Sequence, residues 1–135
     1  MFRVDGGSGV PIYRQLVEQV RREVMLGRLG PGDQLPTLRE VVEALAINPN
    51  TVAKAYAELE HEGLVVRRQG TGTFVSSAPP ASVPAAPPAL RDALFRWVRR
   101  ARAAGLSGDQ IRLLVSAALH EDASGTDRVS AGGEA

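Results

Sequence analysis

Cysteine is absent from the 135-residue chain. That excludes a disulfide framework, a thiolate metal site and a cysteine nucleophile. Histidine is nearly absent. His61 and His120 are the two present, too few and too far apart for a His-rich catalytic metal site, and both read as surface residues near helix ends. Aromatics make up 4% of the chain, which leaves little for a large cofactor pocket or a stacking platform. No cofactor and no metal are expected. No run approaches the roughly 18 apolar residues that a membrane helix needs, and the opening MFRVDGGSGVP lacks the apolar core of a signal peptide. The expectation is a cytoplasmic protein with no membrane partner. Paired carboxylates, a nucleophile elbow and a metal cluster are also missing, so an enzyme is not expected.

Excess charge of one sign is lacking too. The net charge is +1. Residues 1–76 hold nine Lys/Arg and nine Asp/Glu, and residues 77–135 hold seven and six. Any affinity for nucleic acid must therefore come from charge gathered on one face, not from bulk charge. Of the sixteen cationic residues, Lys54 is the one lysine.

What is present is organised. Five of the nine prolines fall in SAPPASVPAAPPA at 77–89, a semi-extended spacer by composition. It separates an N-terminal unit, 1–76, from a C-terminal unit, 90–121. The polar, Gly-rich end, 122–135, reads as a disordered tail.

In the first unit, Ile12, Leu16, Val20 and Val24 form a helical stripe, with Pro11 suited to the first turn and Gly27 to the stop. The turn-rich RLGPGDQLP leaves room for a short strand near Gln34–Leu35. Thr37-Leu38-Arg39-Glu40 is a capping box, opening a second helix to about Leu45. Asn48-Pro49 is a second start signal, opening a third helix to about Glu62 that buries Val52, Ala55, Tyr56 and Leu59. The link between these two helices is so short that they must cross steeply, as in a helix-turn-helix. Two β-branched runs, 64–68 and 73–76, then flank Gln69-Gly70-Thr71-Gly72 and read as a hairpin. The fold class is therefore mainly α with a small β-hairpin, a winged helix-turn-helix followed by a two-helix C-terminal hairpin.

In the C-terminal unit, Leu90, Leu94, Trp97, Val98 and Ala101 make one stripe. Ser107 to Gln110 is a second capping box, and Ile111, Leu114, Val115, Ala118 and Leu119 make the next stripe. So small a helical pair cannot bury both faces alone. Leu94, Trp97, Val98, Ala101, Ile111, Leu114, Val115 and Ala118 are the expected interface of a homodimer, with packing on the winged unit as the other way to cover them. Trp97 reads as interface core rather than a ligand clamp, and the arginines of the first of these helices as a solvated face.

A DNA-binding reading needs the outer face of the third helix. With Val52, Tyr56 and Leu59 inward, Asn50, Thr51 and Lys54 point outward near its start, where a recognition helix meets the major groove. Asn can read adenine with two hydrogen bonds, and Thr can contact a base or a thymine methyl. Arg39 and Thr37, at a helix N-terminus, suit a phosphate, although Arg39 could instead pair with Glu43 one turn on. Arg67 and Arg68 adjoin the wing tip, and a regular strand turns them to opposite faces.

The runs P-I-Y-R-Q-L at 11–16, Gly27 to Glu40, Asn48 to Leu64, and G-T-G-T-F-V at 70–75 resemble the N-terminal domain of GntR-family bacterial transcription regulators. The Asn-Pro-Asn-Thr-Val form and the short helical C-terminal part resemble the YtrA-like branch. The resemblance implies double-stranded DNA as partner, with Arg39, Asn50 and Thr51 at DNA-contact positions and Gly70 at the wing. It also implies a homodimeric repressor on a palindromic operator. Pro49 and Ala53 stand where other branches carry base-reading arginines, so their operators do not transfer. The full expected contact set is Thr37, Arg39, Asn48, Asn50, Thr51, Lys54, Arg68, Gln69, Gly70 and Thr71. A small-molecule effector is a further possible partner that the sequence does not name. The competing reading is a winged-helix module that binds protein or RNA without an operator of its own, kept open by the near-zero net charge.

Overall fold

The structure, a computed structural model, describes residues 1–77 and 85–133. Five helices and one hairpin follow in chain order: α1 (Ile12–Met25), α2 (Leu38–Leu45), α3 (Pro49–His61), β1 (Val65–Arg68), β2 (Gly72–Val75), α4 (Pro88–Ala103) and α5 (Gly108–Gly133). The chain forms two compact units, Met1–Pro88 and Ala89–Ala135.

The first unit is the winged helix-turn-helix expected from the local signals. Its core is built from the buried faces of α1 (Leu16, Val17, Val20, Val24), α3 (Val52, Ala55, Tyr56, Leu59) and the hairpin (Val65, Val75). Pro11 stands at the N-cap of α1, one position before the expected first turn. The Thr37 capping box forms in full: its hydroxyl accepts from the Glu40 N–H at 3.1 Å, and the Glu40 carboxylate accepts from the Thr37 N–H at 3.3 Å. Asn48 caps α3 through its side chain, with Pro49 in the first turn. The strands pair antiparallel, Val65 with Val75 and Arg68 with Gly72. The strand expected near Gln34–Leu35 is a single bridge, Gln34 to Phe74, that adds a third edge to the wing. Leu35 N–H donates to the Thr73 carbonyl at 2.8 Å and Val75 N–H to the Asp33 carbonyl at 2.8 Å.

The turn from α2 into α3 depends on Ala46, which closes α2 with φ 53° and ψ 45°. This left-handed conformation costs an L-residue with a Cβ about 1–2 kcal/mol, and glycine avoids the cost. Ala46→Gly is expected to raise stability by about 0.5–1 kcal/mol after the larger unfolded-chain entropy of glycine is subtracted. Chemical denaturation should show a higher midpoint at unchanged slope.

Residues 1–10, which carry no helical or strand pattern, are held by side-chain amides of α1. Gln19 exchanges two hydrogen bonds with the backbone of Arg3, and Gln15 does the same with Asp5 while also donating to the Val10 carbonyl at 2.9 Å. These amides pair with the arm's backbone as a neighbouring strand would, and Phe2 and Val4 pack on the core.

Prolines 79, 80 and 84 of the expected spacer lie outside the described residues. Its far end is not a bare spacer, because Ala86 N–H donates to the Met25 carbonyl at the end of α1 at 2.8 Å. In the second unit Ser107 and Gln110 form the second capping box. α5 does not stop near 121: its backbone stays helical to Gly133, where composition pointed to a disordered tail. No proline interrupts that stretch, and extending a nucleated helix adds one hydrogen bond for each residue fixed. Residues 134–135 lie outside the described residues.

Candidate nucleic-acid interface

The start of α3 is rigid for local reasons. Asn48 Oδ1 accepts from the Asn50 N–H at 2.8 Å, and the Thr51 N–H donates to the Asn48 carbonyl at 3.0 Å. Asn48, expected among the contact residues, thus has its carboxamide oxygen committed to the cap and serves to set where the helix begins. Asn50 and Lys54 are exposed and Thr51 is half-buried. Behind them α3 is anchored by Tyr56, whose phenol donates to the Pro36 carbonyl at 2.6 Å. That oxygen lies just before the Thr37 cap, so one part-buried hydrogen bond ties α3 to the entry of α2. Burial raises the Tyr56 pKa well above its ordinary value, and the Glu40 charge adds to the rise.

Lys54, though exposed, is not without a contact. Its ammonium lies over the Tyr13 ring of α1, 3.9 Å from the centroid. Arg39 is 88% exposed at the first turn of α2 and pairs with Glu43 at 3.2 Å. The alternative pairing foreseen for Arg39 therefore forms, but an exposed pair of this kind is weak and readily exchanged for a phosphate.

The hairpin sorts its two arginines by face, as strand alternation requires. Arg67 turns toward α3, with Nε 3.9 Å from Glu60. Arg68 turns the other way and stacks on the Phe74 ring at 4.8 Å. Gly70 has φ 75° at the tip, and the Thr71 N–H closes the turn on the Arg68 carbonyl at 2.9 Å. Gln34 Nε2 donates to the Thr71 carbonyl at 3.3 Å, which steadies the tip against the preceding loop. A groove runs between the start of α2 and the wing, lined by Thr37 and Leu38 on one side and by residues 67–73 on the other. It brings Thr37, Arg68, Gln69, Gly70 and Thr71 together and adds Arg67, which was left out of the expected set. Strand alternation allowed only one of Arg67 and Arg68 to face a given side, and both line this groove.

Of the residues expected at a dimer interface, Ala101 and Ile111 are already buried in the single chain. Leu94, Trp97 and Leu114 are 50%, 37% and 47% exposed, and Val115 is exposed beside them. Leu113, outside the expected stripe, is exposed as well. Among the described residues no group of His, Asp and Glu is placed to hold a metal ion, and no helix is long and apolar enough to cross a membrane.

Residues 12–75 match the family model described as bacterial regulatory proteins, gntR family. The HTH-type transcriptional repressor YtrA of Bacillus subtilis is 43% identical over 76 residues, which cover 56% of this chain and 58% of that protein. The HTH-type transcriptional regulator Rv1152 of Mycobacterium tuberculosis is 41% identical over 114 residues, 84% of this chain and 90% of that one. Among solved structures, YtrA from Sulfolobus acidocaldarius, a GntR-family transcription factor, superposes with a TM-score of 0.53 at 31% identity, covering 89% of this chain and 97% of that chain. With this winged fold and these matches along its length, the chain belongs to the GntR family of bacterial regulatory proteins, DNA-binding transcription regulators and not enzymes.

Proposed function

We propose that this regulator is a homodimeric repressor that binds a palindromic operator in the cytoplasm, with α3 in the major groove and the wing on the adjoining backbone. The observation that carries this reading is the outer face of α3. Asn50 and Lys54 stand exposed on a helix start fixed by the Asn48 cap, and a groove lies between the start of α2 and the wing. Asn50 and Thr51 read base edges, while Thr37, Arg39 and the wing hold phosphates. Near-zero charge in this unit makes a single half-site contact weak, so two copies joined through α4 and α5 supply the affinity. The exposed Leu94, Trp97, Leu114 and Val115 are the faces that meet in that dimer.

The test is selection of duplexes by the parent chain from a random-sequence pool, followed by titration of Asn50→Ala on the selected operator. The variant is expected to lose about 1–3 kcal/mol there and little on random DNA. Equal operator affinity for variant and parent would remove Asn50 from the reading set. A pool that yields no enriched sequence would favour a module that binds protein or RNA instead.

A further inference from the structure

We infer that Tyr13, on α1, is a positioning residue for DNA binding: its ring holds the Lys54 ammonium on the operator-facing side of α3. The inference rests on the DNA reading above and deepens it. Lys54 lies four residues after Asn50, on the same face one turn on. It is exposed and is the only lysine in the chain. A lysine ammonium rides on a flexible four-carbon stem and would wander without a second contact. On its own helix the natural partner is Glu58, four residues further, and a pairing there would draw the cation away from Asn50 toward the acidic end of α3, where Glu58, Glu60 and Glu62 follow one another at alternate positions.

The structure shows another arrangement. The Lys54 ammonium sits 3.9 Å from the Tyr13 ring centroid, within the range in which a ring face attracts a cation. Among the described residues no carboxylate forms an ion pair with it. Arg14 donates to the Tyr13 hydroxyl at 3.4 Å and feels the charges of Glu58 and Glu18. Tyr13 thus divides the two cations. Its hydroxyl accepts from Arg14, whose guanidinium carbon stands 5.8 Å from the ring centroid, while the Lys54 ammonium takes the closer place over the ring at 3.9 Å. Such an ammonium, set one turn behind the base-reading residues, suits a phosphate at the groove edge.

The test measures how operator affinity varies with salt, using a duplex selected from a random-sequence pool by the parent chain. Each phosphate contact contributes about 0.9 to the slope of log affinity against log salt. Lys54→Ala is expected to lower the slope by about 0.9 per bound protomer. Tyr13→Leu should reproduce most of that loss, and Tyr13→Phe, which keeps the ring face and drops the hydroxyl, should retain the parent slope. The double variant Tyr13→Leu, Lys54→Ala should match Lys54→Ala alone, because the ring acts through the lysine. A general weakening of the fold would change affinity but not the number of phosphates neutralised, so the slope separates positioning from stability. A Tyr13→Leu slope equal to the parent's, or losses that add in the double variant, would overturn the inference while leaving the DNA reading intact. A parent chain that selects no duplex would overturn both.

Discussion

The double substitution Leu94→Asp, Trp97→Asp is expected to convert the proposed dimer to monomer and to weaken operator binding by about 10²–10⁴-fold. Both side chains are half-exposed in the single chain, so charge placed there costs the isolated unit little. In the proposed dimer the same positions would lie in an apolar contact, and four carboxylates facing one another across a two-fold axis would be desolvated without partners. The size of the loss follows from linkage. Once one winged unit is bound, the second half-site contact is intramolecular, and its effective concentration is lost when the copies separate. The parent dimer should prefer two inverted half-sites about 34–36 Å apart, or a multiple of that, so that both α3 helices meet the groove from one side. Light scattering reports the mass and titration on the palindrome reports the affinity. A variant that stays dimeric would show that α4 and α5 meet through other residues. A monomeric variant that binds as tightly as the parent would show that dimerisation does not serve DNA binding.

Removal of the Tyr56 side chain is expected to have the largest effect on the fold. Tyr56 is fully buried and bonds to the Pro36 carbonyl. Truncating an aromatic of this size in a core costs about 3–5 kcal/mol, a large share of the roughly 5–15 kcal/mol that keeps a small domain folded. Tyr56→Ala also strands the Pro36 oxygen and loosens the tie between α3 and the start of α2. Binding should fall with the folded fraction and recover at low temperature only in part. Tyr56→Phe keeps the packing and loses one hydrogen bond, about 1 kcal/mol.

The pH profile adds a separate signature. Folding raises the Tyr56 pKa above its ordinary 10.0 through burial, with Glu40 adding to it. The unfolded chain therefore releases this proton first as the pH rises. The contribution of Tyr56 to stability is complete below about pH 10 and is lost as the pH climbs from there toward the folded value. Thermal melts of the parent should decline above about pH 10, and Tyr56→Phe should decline less steeply. Parallel declines would mean that another group governs alkaline unfolding.

Much of this protein was legible in its residues because the deciding signals are short-range. A capping box spans four residues, so Thr37 with Glu40 and Ser107 with Gln110 announce their helices without help from the rest of the chain. The apolar spacing of α1 and α3 names their buried faces, and the pattern around Gly70 names the wing. The outer face of α3 follows by subtraction. What lay beyond the sequence depends on side chains brought together from distant positions. Lys54 was legible as outward but not as lodged on Tyr13, 41 residues earlier. Arg67 and Arg68 were legible as facing opposite ways, but only packing against α3 and Phe74 assigned each its partner. The hold of Gln15 and Gln19 on residues 1–10 had no periodic signature, because hydrogen bonds from side chain to backbone leave no hydropathy pattern. The left-handed turn at Ala46 was hidden as well. Alanine is a helix former, and only the closure of α2 on α3 makes its strained conformation the lower-energy choice.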